Sequence, residues 1–434
     1  MRPMLIAALG LLAALPAPIA AQTPAPPPAA AATPSPALSQ RIAALPDIVG
    51  GSGDFDAYFA PAFRAQVPKE TFDEVGRQLK AQYGAVTKVE SVTAISPTSA
   101  GVQLGFERGI ARLDIVIDAA PPHAVTGLRI TGTQPRVESA EAIEAEFRDL
   151  PGSAAYGVYA LGHSVSPVTE MAGDRLMPLG SAFKLWVLAE AARQVSAGER
   201  GWTDIIRLGE RSLPSGMMQN WPEGAPVTLH TLATMMISIS DNSATDTLLR
   251  TLGRDRVDAM VRRIGHSDAR ATLPVLTTIE AFRLKAADNA ALAAQWRAAG
   301  PDGRRRMLRE QAERIAATRM DPAWFAARPR ALDVEWFATP RDEAAVMNWL
   351  RVKGGADALA ILAINPTTTI ADQFDYVGFK GGSETGVVYG NWLVKTKRGN
   401  WYAVTGGWNR ADAGVDNGAF MALMNRVLAR VATQ

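Results

Sequence analysis

The chain has 434 residues, of which 20% are charged, and a formal net charge of +2. This nearly balanced charge, with no basic run interleaved with aromatic residues, argues against a nucleic-acid partner. The absence of cysteine excludes thiol nucleophiles, thiolate metal sites and disulfides. The four histidines lack metal-ligand spacing, so we expect neither a metal nor a cofactor.

Residues 1–21 have the pattern of a secretory signal peptide. Arg2 precedes an apolar run from Met4 to Leu15, and small residues follow up to Ala21. We therefore expect cleavage near Ala21 and a periplasmic or secreted mature chain. Retention as an uncleaved anchor is the alternative, which the short apolar run disfavours. No later segment has the length and apolarity to span a bilayer, so no stable membrane insertion is expected.

The next segment, residues 22–37, is rich in proline and alanine and predicts a disordered or semi-rigid tether. Beyond it, residues 39–134 predict a first domain of the α+β class. Its helical segments lie at 54–63 and 68–84, and its strand-like segments lie at 86–96, 101–109, 111–119 and 125–132. Helices followed by antiparallel strands suit a curved sheet wrapped on a helix.

Residues 138–434 predict a second domain, an α/β sandwich with a helical subdomain. It opens with a helix at 138–149 and strands near 154–161 and 165–172. A helical middle follows, and strands within 374–408 and a helix at 418–432 complete it. Because sheet from both chain ends flanks the helical middle, we expect a pocket at the junction of the two layers.

The stretch PLGSAFKLW at 178–186 places Ser181 three residues before Lys184, at the start of a predicted helix. Residues three apart share a helix face, and burial moves a lysine toward its neutral, basic form. The pair therefore indicates a serine nucleophile with a lysine base. Ser-x-x-Lys alone is equally compatible with an N-cap serine and a lysine that extends to the surface.

Two further motifs favour the catalytic interpretation: Ser-Asp-Asn at 240–242 and Lys-Gly-Gly at 380–382. In order and spacing, the three motifs resemble the set found in penicillin-recognising serine enzymes, and residues 138–434 resemble the class A β-lactamases. The order of elements in residues 39–134 is similar to the NTF2-like (steroid-isomerase-like) domain that precedes a β-lactamase-like domain in some serine hydrolases, including ones from β-lactam biosynthesis clusters.

The resemblance implies catalytic roles for four side chains. Ser181 is the nucleophile, and Lys184 is its activating base or part of the proton relay. Ser240 passes a proton to the leaving nitrogen, and Lys380 supplies positive potential near a substrate carboxylate. Which group takes the acylation proton stays open at this point.

The same resemblance implies how the substrate is held. The backbone N–H groups of Ser181 and Ser383 form the oxyanion hole. Asn242 binds an amide carbonyl of the substrate, and Gly382 and Ser383 contribute to substrate binding. Asp241 is expected to fix its own turn through backbone hydrogen bonds.

The sequence departs from the class A pattern in three places. Gly381 stands where the family usually has Thr or Ser, and Glu384 lies close to where an anionic group of the substrate is expected. The deacylation motif Glu-x-x-Leu-Asn is missing, and residues 279–320 predict helices in its place. Glu335 is the nearest carboxylate, and it is either the base for a deacylating water or a solvated or salt-bridged acid.

We therefore expect an extracytoplasmic serine hydrolase that is acylated at Ser181 by a β-lactam or a related acyl donor and deacylates slowly. The alternatives are a D-Ala-D-Ala peptidase, transpeptidase or esterase on the same fold, and a catalytically lapsed protein that binds β-lactams or cell-wall fragments. In each case the partner is a small molecule and not a nucleic acid.

The signal-peptide assignment predicts that the mature chain begins near Gln22. Mass spectrometry of protein exported to the periplasm should give an intact mass that starts at or beside this residue, because signal peptidase cuts after small residues. A mature chain that still begins at Met1 would contradict cleavage and favour an anchor.

Overall fold

A computed structural model of the protein describes residues 33–434. The predicted signal peptide and residues 22–32 of the predicted tether lie outside the described residues. The first helix begins at Pro36, so the end of the predicted tether is helical, with Ser35 Oγ accepting a hydrogen bond from Leu38 N at 3.1 Å. From residue 33 onward, no helix is long and apolar enough to cross a membrane.

The N-terminal unit consists of short helices followed by one antiparallel sheet in the order β1-β2-β3-β4. This order confirms the predicted α+β class. Its elements are α1 (Pro36–Ala43), α2 (Leu45–Gly50), α3 (Phe55–Tyr58), α4 (Pro61–Gln66), α5 (Lys69–Tyr83), β1 (Val86–Ser96), β2 (Ser99–Phe106), β3 (Gly109–Ile117) and β4 (Val125–Pro135).

Strict alternation along the strands explains how this unit forms its core. In β3 the side chains of Ala111, Leu113, Ile115 and Ile117 are buried, because every second residue of a strand points to the same face. They pack with apolar side chains from the helices, including Tyr83 of α5. Leu113, Ile115 and Ile117 each contribute roughly 1.5–3 kcal/mol through burial of their side chains.

The C-terminal unit is an α/β sandwich around a five-stranded antiparallel sheet in the order β11-β12-β13-β5-β6. Strands from the two ends of the unit meet where β13 pairs with β5. The elements before the helical middle are α6 (Ala140–Asp149), β5 (Ser153–Leu161), β6 (Val165–Met171), β7 (Met177–Pro178), a 3₁₀ turn (Gly180–Phe183) and α7 (Lys184–Ser196).

The helical middle and the returning strands complete the predicted architecture. The middle contains β8 (Ile205–Arg207), β9 (Pro226–Thr228), α8 (Leu229–Ser238), α9 (Asn242–Leu252), α10 (Arg254–Arg263), α11 (Ala269–Thr272), α12 (Thr278–Lys285), α13 (Ala290–Ala298), α14 (Pro301–Glu310), α15 (Ala312–Ala317) and α16 (Pro322–Ala327). The last elements are β10 (Phe337–Ala338), α17 (Pro340–Lys353), α18 (Gly355–Leu362), β11 (Phe374–Glu384), β12 (Val387–Thr396), β13 (Trp401–Asn409) and α19 (Asn417–Ala432).

The two faces of the sheet carry different helices. Helices α6 and α19 cover one face, and α17 covers the other, with α7 packed behind it. Helix α19 also contacts α5 and β4 of the N-terminal unit. The helices predicted within residues 279–320 are confirmed as α12 to α15.

Helix α7 lies at the centre of the C-terminal unit, as its largely apolar sequence predicts. Trp186 is fully buried, and its Nε1 donates to Glu343 Oε1 of α17 at 3.2 Å. Asn391 of β12 donates to the other oxygen of this carboxylate at 2.6 Å. Burial raises the pKa of Glu343 to about 8. These hydrogen bonds connect α7 to α17, and α17 to strand β12 of the sheet.

A second buried carboxylate fixes helix α12. Asp246 of α9 accepts hydrogen bonds from the backbone N–H groups of Thr278 at 2.7 Å and Ile279 at 3.0 Å, at the first turn of α12. These N–H groups have no partner within the helix itself, so the carboxylate satisfies them and stabilises the helix start. This anchoring orients helix α12 so that its last residue, Lys285, reaches the end of β11.

Candidate active site

Ser181 lies in the 3₁₀ turn that precedes α7, at a cavity of about 410 Å³ between the sheet and the helical subdomain. The cavity lies where the two layers meet, as predicted. All of its lining residues come from positions 181–421, and none comes from the N-terminal unit. Among the described residues, no side chain or backbone group forms a hydrogen bond with Ser181 Oγ, so this hydroxyl is available to a ligand.

Lys184 begins α7 and is completely buried. Its Nζ donates to the backbone oxygen of Ser240 at 2.7 Å, to Ser240 Oγ at 3.1 Å and to Asn242 Oδ1 at 2.8 Å. Burial, with a smaller contribution from the nearby Lys380, holds the pKa of this amine well below its usual range. This shift favours the neutral amine, which is the form that can accept a proton.

Ser240 joins the two lysines of the site. Its Oγ lies 3.1 Å from Lys184 Nζ and 3.1 Å from Lys380 Nζ. Its backbone φ is 59°, a left-handed conformation that costs a non-glycine residue free energy and is held here by the surrounding contacts. The hydroxyl therefore forms the middle of a short proton path between two amines.

Asp241 fixes the turn that presents Ser240, in agreement with the sequence-based expectation. One carboxylate oxygen accepts from Ala244 N at 2.9 Å and caps α9. The other accepts from Met217 N at 2.7 Å and Met218 N at 2.8 Å, in the loop at 213–224. A single buried carboxylate thus ties this loop to the start of α9, which carries Asn242.

Lys380 of β11 is the one charged side chain with atoms on the cavity wall among the described residues. Its Nζ donates to Ser240 Oγ and to the backbone oxygen of Gly381 at 2.5 Å. Burial lowers its pKa from 10.5 to about 7. The amine is therefore partly protonated at neutral pH.

The predicted oxyanion hole lies where two backbones pass very close to each other. A Cβ placed on Gly382 would lie 2.1 Å from the carbonyl oxygen of Leu179 and 2.4 Å from Ser181 N. A Cβ on Gly180, whose φ is +50°, would lie 3.1 Å from Ser383 N. Only glycines permit this approach, and it brings together the backbones that carry the Ser181 and Ser383 N–H groups.

The environment of Gly381 explains its departure from the usual Thr or Ser. A Cβ at this position would lie 2.7 Å from Cζ of Phe379 and 3.0 Å from the backbone oxygen of Tyr389. The Phe379 ring therefore occupies the space that a hydroxyl-bearing side chain needs. The wall of the cavity beside Lys380 is aromatic at this point.

The structure places Glu335 away from the cavity wall. It is buried and paired with Lys285, and its Oε2 accepts from Gly180 N at 3.2 Å. Glu384, which the sequence places close to an anionic group of the substrate, also pairs with Lys285, at 2.7 Å. Among the described residues, no aspartate or glutamate lines the cavity.

Comparison with known proteins gives a family match for part of the chain. Residues 138–310 match the family model described as the β-lactamase enzyme family. This match and the five-stranded sheet with its helical layer define the C-terminal unit as a β-lactamase/transpeptidase fold, which confirms the predicted class. No curated protein matches the chain. The similarity of residues 39–134 to an NTF2-like domain stays a prediction.

The C-terminal part is also similar to solved structures. A β-lactamase from Sphaerobacter thermophilus is 23% identical, with a TM-score of 0.47 over 68% of this chain and 96% of that chain. A β-lactamase from Chitinophaga pinensis is 15% identical, with a TM-score of 0.47 over 68% of this chain and 98% of that chain. PBP-A is 15% identical, with a TM-score of 0.46 over 68% and 96%.

The contact at Gly382 predicts that Gly382→Ala slows acylation by roughly 10²–10³-fold, the size of effect seen when one oxyanion donor is lost. The added methyl must push β11 away from Ser181 N. The rate of covalent adduct formation, followed by intact-mass spectrometry, measures the effect. Gly414→Ala is the matched control, because a Cβ there meets no atom within 4 Å. Equal rates for the two variants would contradict the assignment.

The low pKa of Lys380 predicts that Lys380→Met stabilises the fold while it impairs the site. The unfolded chain binds a proton at this lysine up to about pH 10.5, whereas the folded protein releases it near pH 7. Parent stability therefore rises with pH across this window, by roughly 1.4 kcal/mol per pH unit. We expect the stability advantage of the variant to shrink at that rate between pH 8 and pH 9.

Urea denaturation at the two pH values measures the difference in free energy of unfolding. Lys353→Met, at an exposed position in α17, is the control and should show no such change. A pH-independent advantage of Lys380→Met would mean that Lys380 keeps an ordinary pKa in the folded protein.

Proposed function

We propose that the chain is an extracytoplasmic serine hydrolase that is acylated at Ser181 by a β-lactam or a related cyclic or ester acyl donor. One observation carries the proposal: Ser181, Ser240 and Lys380 line one cavity, and the buried Lys184 is hydrogen bonded to Ser240 behind its wall, in a fold shared with β-lactamases. The export signal predicted from the sequence of residues 1–21 supports the extracytoplasmic location. We further propose that the N-terminal unit is an NTF2-like domain with a structural, substrate-gating or dimerising role; it contributes no residue to the cavity.

In the acylation step, Ser181 Oγ attacks the carbonyl carbon and its proton passes to the Lys184 amine, which turns toward Ser181 from its hydrogen bonds with Ser240 and Asn242. The tetrahedral oxyanion accepts hydrogen bonds from the N–H groups of Ser181 and Ser383. When the bond between the carbonyl carbon and the leaving group breaks, the leaving atom takes the proton of Ser240 Oγ. Lys184 then returns its proton to Ser240 Oγ, with which it is hydrogen bonded.

Deacylation needs a base that activates a water molecule, and the cavity offers no carboxylate for this step. Glu335 and Glu384 are both engaged with Lys285. The remaining base, Lys184, is regenerated by acylation, but it is buried behind the cavity wall and hydrogen bonded to Ser240 and Asn242. We therefore infer that the acyl-enzyme is long-lived.

The carboxylate-free cavity also favours a second candidate, a protein that captures β-lactams or cell-wall fragments without turnover. Acylation chemistry is the same in the two cases, and it would equally serve a D-Ala-D-Ala peptide or a simple ester. The deacylation rate separates a hydrolase from a binding protein. The preferred acyl donor separates a β-lactamase from a peptidase or an esterase.

The proposal predicts a burst of acylation followed by slow turnover with benzylpenicillin. Without a positioned base, deacylation is slower by roughly 10²–10⁴-fold than in an enzyme that has one. Intact-mass spectra within seconds of mixing should show a covalent adduct, and Ser181→Ala should show none. Rapid sustained hydrolysis without an adduct would refute slow deacylation. Absence of both adduct and turnover with penicillin, ester and peptide would refute the function.

A further inference from the structure

Lys285 lies in a buried cluster of charges beside the active site. Its side chain is fully inaccessible to solvent, and its Nζ donates to Glu335 and, at 2.7 Å, to Glu384. The three residues come from different parts of the chain: the end of α12, the segment before β10 and the end of β11. The cluster therefore joins three separate backbones at one point.

Glu335 connects this cluster to the nucleophile turn. Its Oε2 accepts hydrogen bonds from Gly180 N at 3.2 Å and from Trp336 N at 3.3 Å. Gly180 directly precedes Ser181, whose N–H group is one of the two proposed oxyanion donors. The position of the Glu335 carboxylate therefore constrains the backbone on that side of the hole.

Glu384 connects the cluster to the other side of the hole. It directly follows Ser383, which carries the second proposed donor. Side chains alternate along a strand, so Lys380, Gly382 and Glu384 share the face of β11 that meets the nucleophile turn. Lys380 contacts Ser240 at one end of this face, and Glu384 contacts Lys285 at the other end.

Stability alone does not account for such a cluster. Removing three charged groups from water is costly, and apolar residues of similar volume often stabilise a fold at least as well. Burial also raises the pKa of Glu384, while the adjacent Lys285 ammonium opposes this shift.

We propose that Lys285 is a positioning residue that, through Glu335 and Glu384, holds the backbones of Ser181 and Ser383 at the separation that an oxyanion requires. The inference rests on the proposed function, because it concerns the same acylation step. It assigns no contact between Lys285 and the substrate. The alternative is an ion-pair cluster that only stabilises the fold.

The test compares two substitutions at the same position, Glu384→Ala and Glu384→Gln. The first removes the connection between β11 and Lys285, whereas the second keeps an oxygen that can accept its hydrogen bond. Each leaves the Lys285–Glu335 pair intact. Lys285→Met is the stronger variant, and Glu384→Ala decides the question if Lys285→Met does not fold. Arg254→Met is the matched control, since it breaks the ion pair between Arg254 of α10 and Glu280 of α12, the helix that carries Lys285.

The measured quantity is the ratio of acylation rates for p-nitrophenyl acetate and its thionoester analogue. Sulfur is a weak hydrogen-bond acceptor, so a well-formed oxyanion hole favours the oxygen ester. For Glu384→Ala and Lys285→Met we expect oxoester acylation to fall by roughly 10–100-fold with little change in KM, and the oxo-to-thiono ratio to fall with it. The oxo-to-thiono ratio of Glu384→Gln should be close to that of the parent. Arg254→Met should have the parent ratio but a lower free energy of unfolding.

The outcomes separate this inference from the proposed function. If the parent forms no adduct with the ester or with benzylpenicillin, the proposed function fails, and the inference fails with it. If the parent is acylated and folded Glu384→Ala keeps the parent ratio, the positioning role is overturned and the cluster is structural only. A reduced ratio in Arg254→Met as well would also overturn it, because general destabilisation would then account for the effect.

Discussion

The site depends on the close approach of β11 to the turn that carries the nucleophile. At Gly382 the two backbones leave no room for even one methyl group, and this contact determines where Ser181 and Ser383 lie relative to each other. The neighbouring features follow from it. Phe379 fills the space beside Gly381. Glu384 lies on the same face of β11 as Gly382 and forms a buried ion pair with Lys285.

Lys184 and Lys380 are both buried and both contact the Ser240 hydroxyl, so their like charges repel each other when both amines are protonated. Neither amine can be fully protonated without cost, because each is desolvated and each lies near the other. Three hydrogen bonds stabilise Lys184, and a strained backbone at Ser240 places its hydroxyl between the amines. The protein thus gives up stability in order to keep a basic nitrogen next to the reacting serine.

The sequence was most informative where the pattern is local. Helical periodicity, strand alternation and three short motifs predict the element order, the class of the C-terminal fold and the residues that converge on the cavity. The Lys285 cluster was not predicted, because Lys285 lies in a segment rich in charged residues and its partner Glu384 is 99 residues away. The sequence offers Glu335 as a base, but its pairing with Lys285, 50 residues away, cannot be deduced from spacing. The aromatic contact behind Gly381 likewise depends on side-chain packing between strands.

The pairing of β5 with β13 has a consequence for the order in which the protein becomes reactive. The nucleophile turn lies near the start of the C-terminal unit, whereas its oxyanion partner and Lys380 lie on a strand close to the end. Contacts between such distant segments require loop closure over the whole helical middle, which carries an entropic cost and slows their formation. A nascent or partly folded chain therefore carries an ordinary serine, and nucleophilic reactivity arises only when the final strands dock.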